Sequence, residues 1–204
     1  MAKIILDELN DIQYDVLKEI GNIGAGNATT ALAQLLNLKI DMGVPKVALV
    51  PFKNIADAVG SEETVLIGIM LGLDGDINGM MMFLLHEKSA CNLLHVLMGR
   101  DDNKGADFDE MELSALKEIG NIITGAYLSA LSGLTGLSIN ASVPAMTIDM
   151  AGAILSVPAI EYSKIGEKVL LIETQFGEND FINGYFVMVP ELESYDVILS
   201  SLGM

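Results

Sequence analysis

Apolar residues recur at helical spacing over two unusually long stretches. From about Asp11 to Leu38 the residues Ile12, Val16, Ile20, Ile23, Ala31, Leu35 and Leu38 fall three or four positions apart, or at sums of these. That spacing predicts one long amphipathic helix. Gly21, Gly24 and Gly26 lie inside it and each costs about 1 kcal/mol relative to Ala, so something other than helix propensity must favour them. A second such helix begins after Asp109, which stands in capping-box spacing with Glu112 among acids that suit a helix start. Each helix is followed by Val-Pro and an apolar run, Val47 to Val50 and Met146 to Ile148, expected as strands. Short helices are expected at Lys53 to Val59 and Asp149 to Leu155, the latter stopped by Val157-Pro158. Thr64 to Leu73 and Ile77 to Leu85 read as paired strands around Asp74-Gly75-Asp76, and Lys168 to Phe176 and Phe181 to Val189 as a second pair around Gly177 to Asp180. Closing helices are expected at Lys88 to Met98 and Leu192 to Leu202, and only Gly99 to Phe108, with Arg100-Asp101-Asp102, reads as a linker.

The same order of elements thus occurs twice, and the residues repeat with it. Leu17 to Ile23 is identical to Leu116 to Ile122, and laid without a gap from Leu17 to Val47 against Leu116 to Met146 the copies agree at 15 of 31 positions. Ile77-Asn78-Gly79 recurs as Ile182-Asn183-Gly184. A repeat of this period is too long for a solenoid and reads as a duplicated half. The expected fold is therefore α+β, with two halves related by a pseudo-two-fold axis sharing one largely antiparallel sheet, and the long helices packed on it. A lone half would leave a flat apolar edge. The whole of 1–204 reads as one domain of two repeats, 8–100 and 107–204.

Composition narrows the functions. With 28 acids against 11 bases the formal charge is −17, which repels nucleic acid and anionic lipid. The chain is 51% hydrophobic with mean hydropathy +0.45, supplied by aliphatic residues and 12 Met, which fill cores. Its single cysteine, Cys91, excludes an internal disulfide and suits a reducing cytoplasm. The start, Met1 to Asp7, meets acid at once, so a signal peptide is not expected there. Ile119 to Ile148 carries no charge, but glycines, polar residues and Pro144 interrupt it, so a membrane span is not expected.

The candidate chemistry lies in the repeated string. Glu19-x-x-Asn22 places a carboxylate and an amide on one helical face, with Gly26 between them in projection, and Glu118, Asn121 and Gly125 repeat the arrangement. A side-chain-free position beside the pair leaves room for another molecule. The pairs persist while exposed neighbours such as Asn27/Ala126 and Gln34/Gly133 have diverged. An amide is no general base, but it can hold and orient a water, so the pair suggests positioning chemistry on an electrophile that a partner supplies. Three other patterns carry less. Asp74-Gly75-Asp76-Ile77-Asn78-Gly79 opens like a calcium loop but has Leu85 where the final Glu belongs. Gly21, Gly24 and Gly26 fit neither common phosphate fingerprint, and Asn27-Ala28-Thr29 is a sequon of no use inside a cell. No metal site is recognisable, and His86 and His95 read as core edge or surface.

Glu-Ile-Gly-Asn-Ile-Gly-Ala-Gly-Asn-Ala near the N-terminus, the second Glu-Ile-Gly-Asn-Ile and the paired Ile-Asn-Gly strands resemble the CheC family of bacterial chemotaxis phosphatases over nearly the whole chain. Two Glu-x-x-Asn helices separate CheC from CheX, which has one such site, and flagellar switch proteins of the FliY type usually carry extra segments. The resemblance implies dephosphorylation of the response regulator CheY. Asn22 and Asn121 would align the hydrolytic water, and Glu19 and Glu118 would anchor the regulator. It implies no cofactor of the chain's own, Mg2+ being carried by the regulator, and a second partner, the receptor deamidase CheD. The CheD surface is expected around Ile148 to Ala153, with Asp149 and Met150, and Gly26 and Gly125 are expected to contact the regulator. A monomer forming heteromeric complexes is expected. The competing readings are a non-catalytic adaptor for CheY or CheD, and a flagellar switch component.

Overall fold

The computed structural model describes residues 9–43, 45–101, 105, 107–162, 168–176 and 182–204. The start Met1 to Asp7, Val44 of the first Val-Pro pair, Asp102, and the turn Gly177 to Asp180 with Phe181 lie outside the described residues. The elements run α1 (Asp11–Leu36), β1 (Lys46–Pro51), a 3-10 turn leading into α2 (Ile55–Ala58), β2 (Val65–Gly75), β3 (Gly79–His86) and α3 (Glu87–Met98). They continue α4 (Glu110–Thr135), β4 (Ile139–Ala141), β5 (Ala145–Met150), α5 (Ala151–Tyr162), β6 (Lys168–Phe176), β7 (Ile182–Pro190) and α6 (Leu192–Ser201).

Both long helices are 26 residues. Each opens on a full capping box, Asn10 with Gln13 and Asp109 with Glu112, and each closes on a left-handed residue, Asn37 and Gly136. The first box was not read from the sequence, although Asn10 and Gln13 stand at capping-box spacing.

The seven strands of the described residues form one antiparallel sheet, as the expected fold class requires. Its order is β1-β6-β7-β3-β2, with β4 and β5 both pairing with β2. The order crosses the middle of the chain at both edges: β1 pairs with β6 and β5 with β2, around a central β7–β3 pair. The inner strands are buried on both faces. Ile67, Ile69, Leu71, Met81, Phe83 and Ile172 meet α1, α3, α4 and α6, and alternate residues such as Leu66, Met82, Leu84 and Val187 meet α2 and α5. Met80, Met81, Met82 and Met188 are core residues.

Some expectations are corrected and others hold. Asp149 and Met150 belong to β5, held in register with Leu66 and Val65, so the following helix starts only at Ala151. Pro158 does not stop α5 but lies inside it. Ala151, Ile154, Leu155 and Pro158 are all buried and form one helical stripe against the sheet, so ring burial offsets the lost amide hydrogen bond. Strand β4 was not expected, being only three residues long. In the linker, Arg100 is buried, its Nε donating to Glu112 Oε1 at 3.0 Å and its Nη2 to the Gly105 and Asp107 carbonyls. The calcium-like loop is a hairpin turn: Asp74 Oδ1 accepts from Asn140 Nδ2 and Asp76 Oδ2 from the Ser138 amide, both at 2.8 Å. His86 is half-buried, edge-on to Tyr185, and burial holds its pKa below the ordinary imidazole value, while His95 is exposed. Uncharged Ile119 to Ile148 divides between α4, β4 and β5, and among the described residues no helix is long and apolar enough to cross a membrane.

Candidate functional site

Helices α1 and α4 pack side by side on the sheet, and three glycines set how closely. A Cβ on Gly21 would stand 2.8 Å from a Val47 methyl, one on Gly120 2.3 Å from Ile69 Cδ1, and one on Gly24 2.4 Å from the Tyr127 ring. Gly21 and Gly120 therefore let the helices sink onto the sheet, and Gly24 lets α4 approach α1. Tyr127 is fully buried there, 5.1 Å ring to ring from Phe186, and burial raises its phenol pKa well above the ordinary value. Gly24 faces Tyr127 while Glu19 shares a cleft with Leu134, so the two helices run antiparallel.

This seating turns both motifs outward. Glu19 and Glu118 are exposed, and Asn22 and Asn121 are half-buried beside them. Gly26 and Gly125 differ from the packing glycines. A Cβ on Gly26 would meet only Met42 Cε at 3.9 Å, and one on Gly125 nothing within 4 Å. Each pair thus borders open space large enough for a close approach. The structure does not bring the two motifs together: no residue of one lines the cleft beside the other, and the antiparallel packing sets them at different levels of the helix pair.

Beside the second motif lies a cleft of ≈ 430 Å³ lined by Ser114, Lys117, Glu118 and Asn121 on α4, by Ala141 at the end of β4, and by Ser142 to Pro144 on the loop that follows. That loop is fixed to β2, since Gly72 N donates to Ser142 Oγ and Ser142 N to the Gly72 carbonyl, both at 2.9 Å. Val143 at its tip is 84% exposed. The sequence reading counted Val143-Pro144 in the repeat and as the entry to a strand but not as part of the site, although its persistence in both copies was the available signal. At the first motif Lys18, the counterpart of Lys117, turns to Asp15 at 3.5 Å and lies over the Tyr14 ring. Ser114 replaces Asp15 in the second copy, so the two sites differ in charge as well as packing.

Asp149 and Met150 stand apart from both motifs at the end of edge strand β5, both exposed, with Asp149 Oδ1 accepting from the Met150 amide at 2.7 Å. Among the described residues no three His, Cys, Asp or Glu side chains gather in a way that could hold a metal.

The architecture is shared with flagellar switch and chemotaxis proteins. The structure of Thermotoga maritima FliY matches 96% of this chain and 98% of its own with a TM-score of 0.75 at 23% identity. The Borrelia burgdorferi CheX of a CheX-CheY-BeF3-Mg complex matches 87% of this chain and 97% of its own with a TM-score of 0.52 at 20% identity. These place the chain in the FliY and CheX fold class. Residues 12–49 match the family model of the CheC-like family and residues 67–162 that of the chemotaxis phosphatase CheX. The CheY-P phosphatase CheC of Bacillus subtilis is 36% identical over 98% of both chains. The chain belongs to the CheC-like family.

Proposed function

We propose that the protein is a phosphatase that hydrolyses the aspartyl phosphate of the response regulator CheY, using Asn22 and Asn121 to orient the attacking water. The observation that carries this reading is the pair of outward-facing Glu-x-x-Asn surfaces, each beside a glycine with open space over it. Full-length similarity to a named CheY-P phosphatase supports the substrate.

Phosphoryl transfer asks a protein mainly for position and charge stabilisation. The regulator brings the acyl phosphate and its Mg2+, and no cofactor of this chain is needed. On docking, the Asn22 or Asn121 side chain enters the regulator's site, where its carbonyl accepts from a water and holds a lone pair in line with phosphorus. Glu19 and Glu118 pair with a cationic residue of the regulator and fix the approach. The exposed end of β5, at Asp149 and Met150, is the proposed surface for CheD, on a protein that is itself a monomer.

The test is the decay of phosphorylated CheY with wild-type protein, Asn22→Ala, Asn121→Ala and the double variant, each first shown to be folded. Wild type is expected to speed decay, and each single variant to keep only the other site's share. The double variant is expected to return decay to the regulator's own rate. Undiminished activity in the double variant would remove the amides from the mechanism, and no acceleration by wild type would leave an adaptor as the better reading.

A further inference from the structure

The flank of Glu19 opposite Asn22 holds a second cleft. Val16, Glu19, Ile20 and Ile23 of α1, Leu134 near the end of α4, and Leu202 beyond α6 enclose ≈ 270 Å³. Apart from the Glu19 side chain, its lining residues are aliphatic. Leu134 is 40% exposed and forms the far wall of the hollow. Asn22 and Gly26 project on the other side of Glu19. Glu19 is thus a ridge between an amide and an apolar hollow, and a partner that sits astride this ridge meets Asn22 on one side and the hollow on the other. The second motif is set differently: Ala115 replaces Val16, and the cleft beside Glu118 is the polar one on the Asn121 flank.

Resting on the phosphatase reading, we propose that this hollow seats one large apolar side chain of phosphorylated CheY, adjacent to the cationic residue that pairs with Glu19, and so gives the first motif tighter docking than the second. Charge and shape select that occupant. A carboxylate on the rim of a chain of charge −17 favours a cationic neighbour, and an aliphatic hollow rewards an apolar side chain beside it. The volume suits one side chain rather than a packed helix.

Phospho-CheY decay is measured against CheY concentration with Asn121→Ala protein, in which the first motif works alone, and with Asn22→Ala protein, in which the second does. Each is prepared with and without Leu134→Asp, and Leu134→Ala serves as the milder variant should the charge disturb folding. In the Asn121→Ala background KM is expected to rise about tenfold, the equivalent of exposing one buried aliphatic side chain, with kcat held. The rise in the Asn22→Ala background is expected to be several-fold smaller. Equal rises in the two backgrounds, a loss confined to kcat, or no change overturns the proposal. A Leu134-dependent dimer of this chain in sedimentation, with KM for CheY unchanged, overturns it in favour of a second copy as occupant. No acceleration of decay by the wild-type protein overturns the phosphatase reading itself, and is read before Leu134 is altered.

Discussion

A missing Cβ means opposite things at neighbouring glycines of the same helix. At Gly24 the space is filled by a buried Tyr127 ring backed by Phe186, which cannot retreat. Gly24→Ala should therefore lose more from overpacking than it gains in helix propensity, a net destabilisation of about 1–2 kcal/mol. Urea unfolding is expected to show it as a lower midpoint at unchanged slope. Gly125→Ala meets nothing within 4 Å. It should raise stability by up to about 1 kcal/mol and yet slow phospho-CheY decay in the Asn22→Ala background, because the methyl group stands where the partner would come close. An equal loss of stability in both variants would contradict this division. Helix propensity identifies all these glycines as costly from local sequence alone. It cannot sort them, because what fills each gap arrives from the other half of the chain. The Glu-x-x-Asn pairs were legible for a different reason: the repeat marks them, and helical spacing alone puts both groups on one face.

The elements were legible where periodicity and capping agree, and misread where a polar residue turns inward. Arg100, within a charged run, has the composition of a solvated linker. Its side chain is only 1% exposed and bonds Glu112, which is 5% exposed and whose other oxygen closes the α4 capping box through the Asp109 amide. One carboxylate thus satisfies the helix start and neutralises a buried guanidinium. Arg100→Ala removes the cation from beside that buried carboxylate and is expected to cost about 3–5 kcal/mol, read by chemical denaturation. The Arg100→Ala, Glu112→Gln pair should restore part of it in a double-mutant cycle. Additive losses would show that the two side chains contribute independently. Pro158 teaches a similar lesson, since the bias against helix before proline is local while the buried stripe that holds α5 together is tertiary.

At the scale of the whole molecule, the sheet order decides what can fold alone. Pattern and hairpin signals announce an antiparallel sheet, but the pairing of β1 with β6 and of β5 with β2 leaves no local trace, because neither pair shares a turn. β1 is an edge strand whose sheet partner is β6, and the buried side of α1 leans on α4 through Gly24 and Tyr127. A fragment of residues 1–103 would therefore expose the apolar face of β1 and one wall of α1, and would lack the β7 strand against which β3 is buried. It is expected to show no cooperative monomeric unfolding transition, whereas mixing it with a fragment of residues 104–204 should restore helical circular dichroism and a single sharp transition. A fragment that melts cooperatively as a monomer in sedimentation and thermal scans would show that the cross-pairing contributes little. If instead the halves reassemble only together, the same interlocking explains how two separate Glu-x-x-Asn faces stay rigidly presented. Gly21 of α1 is seated against β1 and β6, one strand from each part of the chain, and Gly120 of α4 against β2 of the other part, so neither motif can shift without disturbing the shared core.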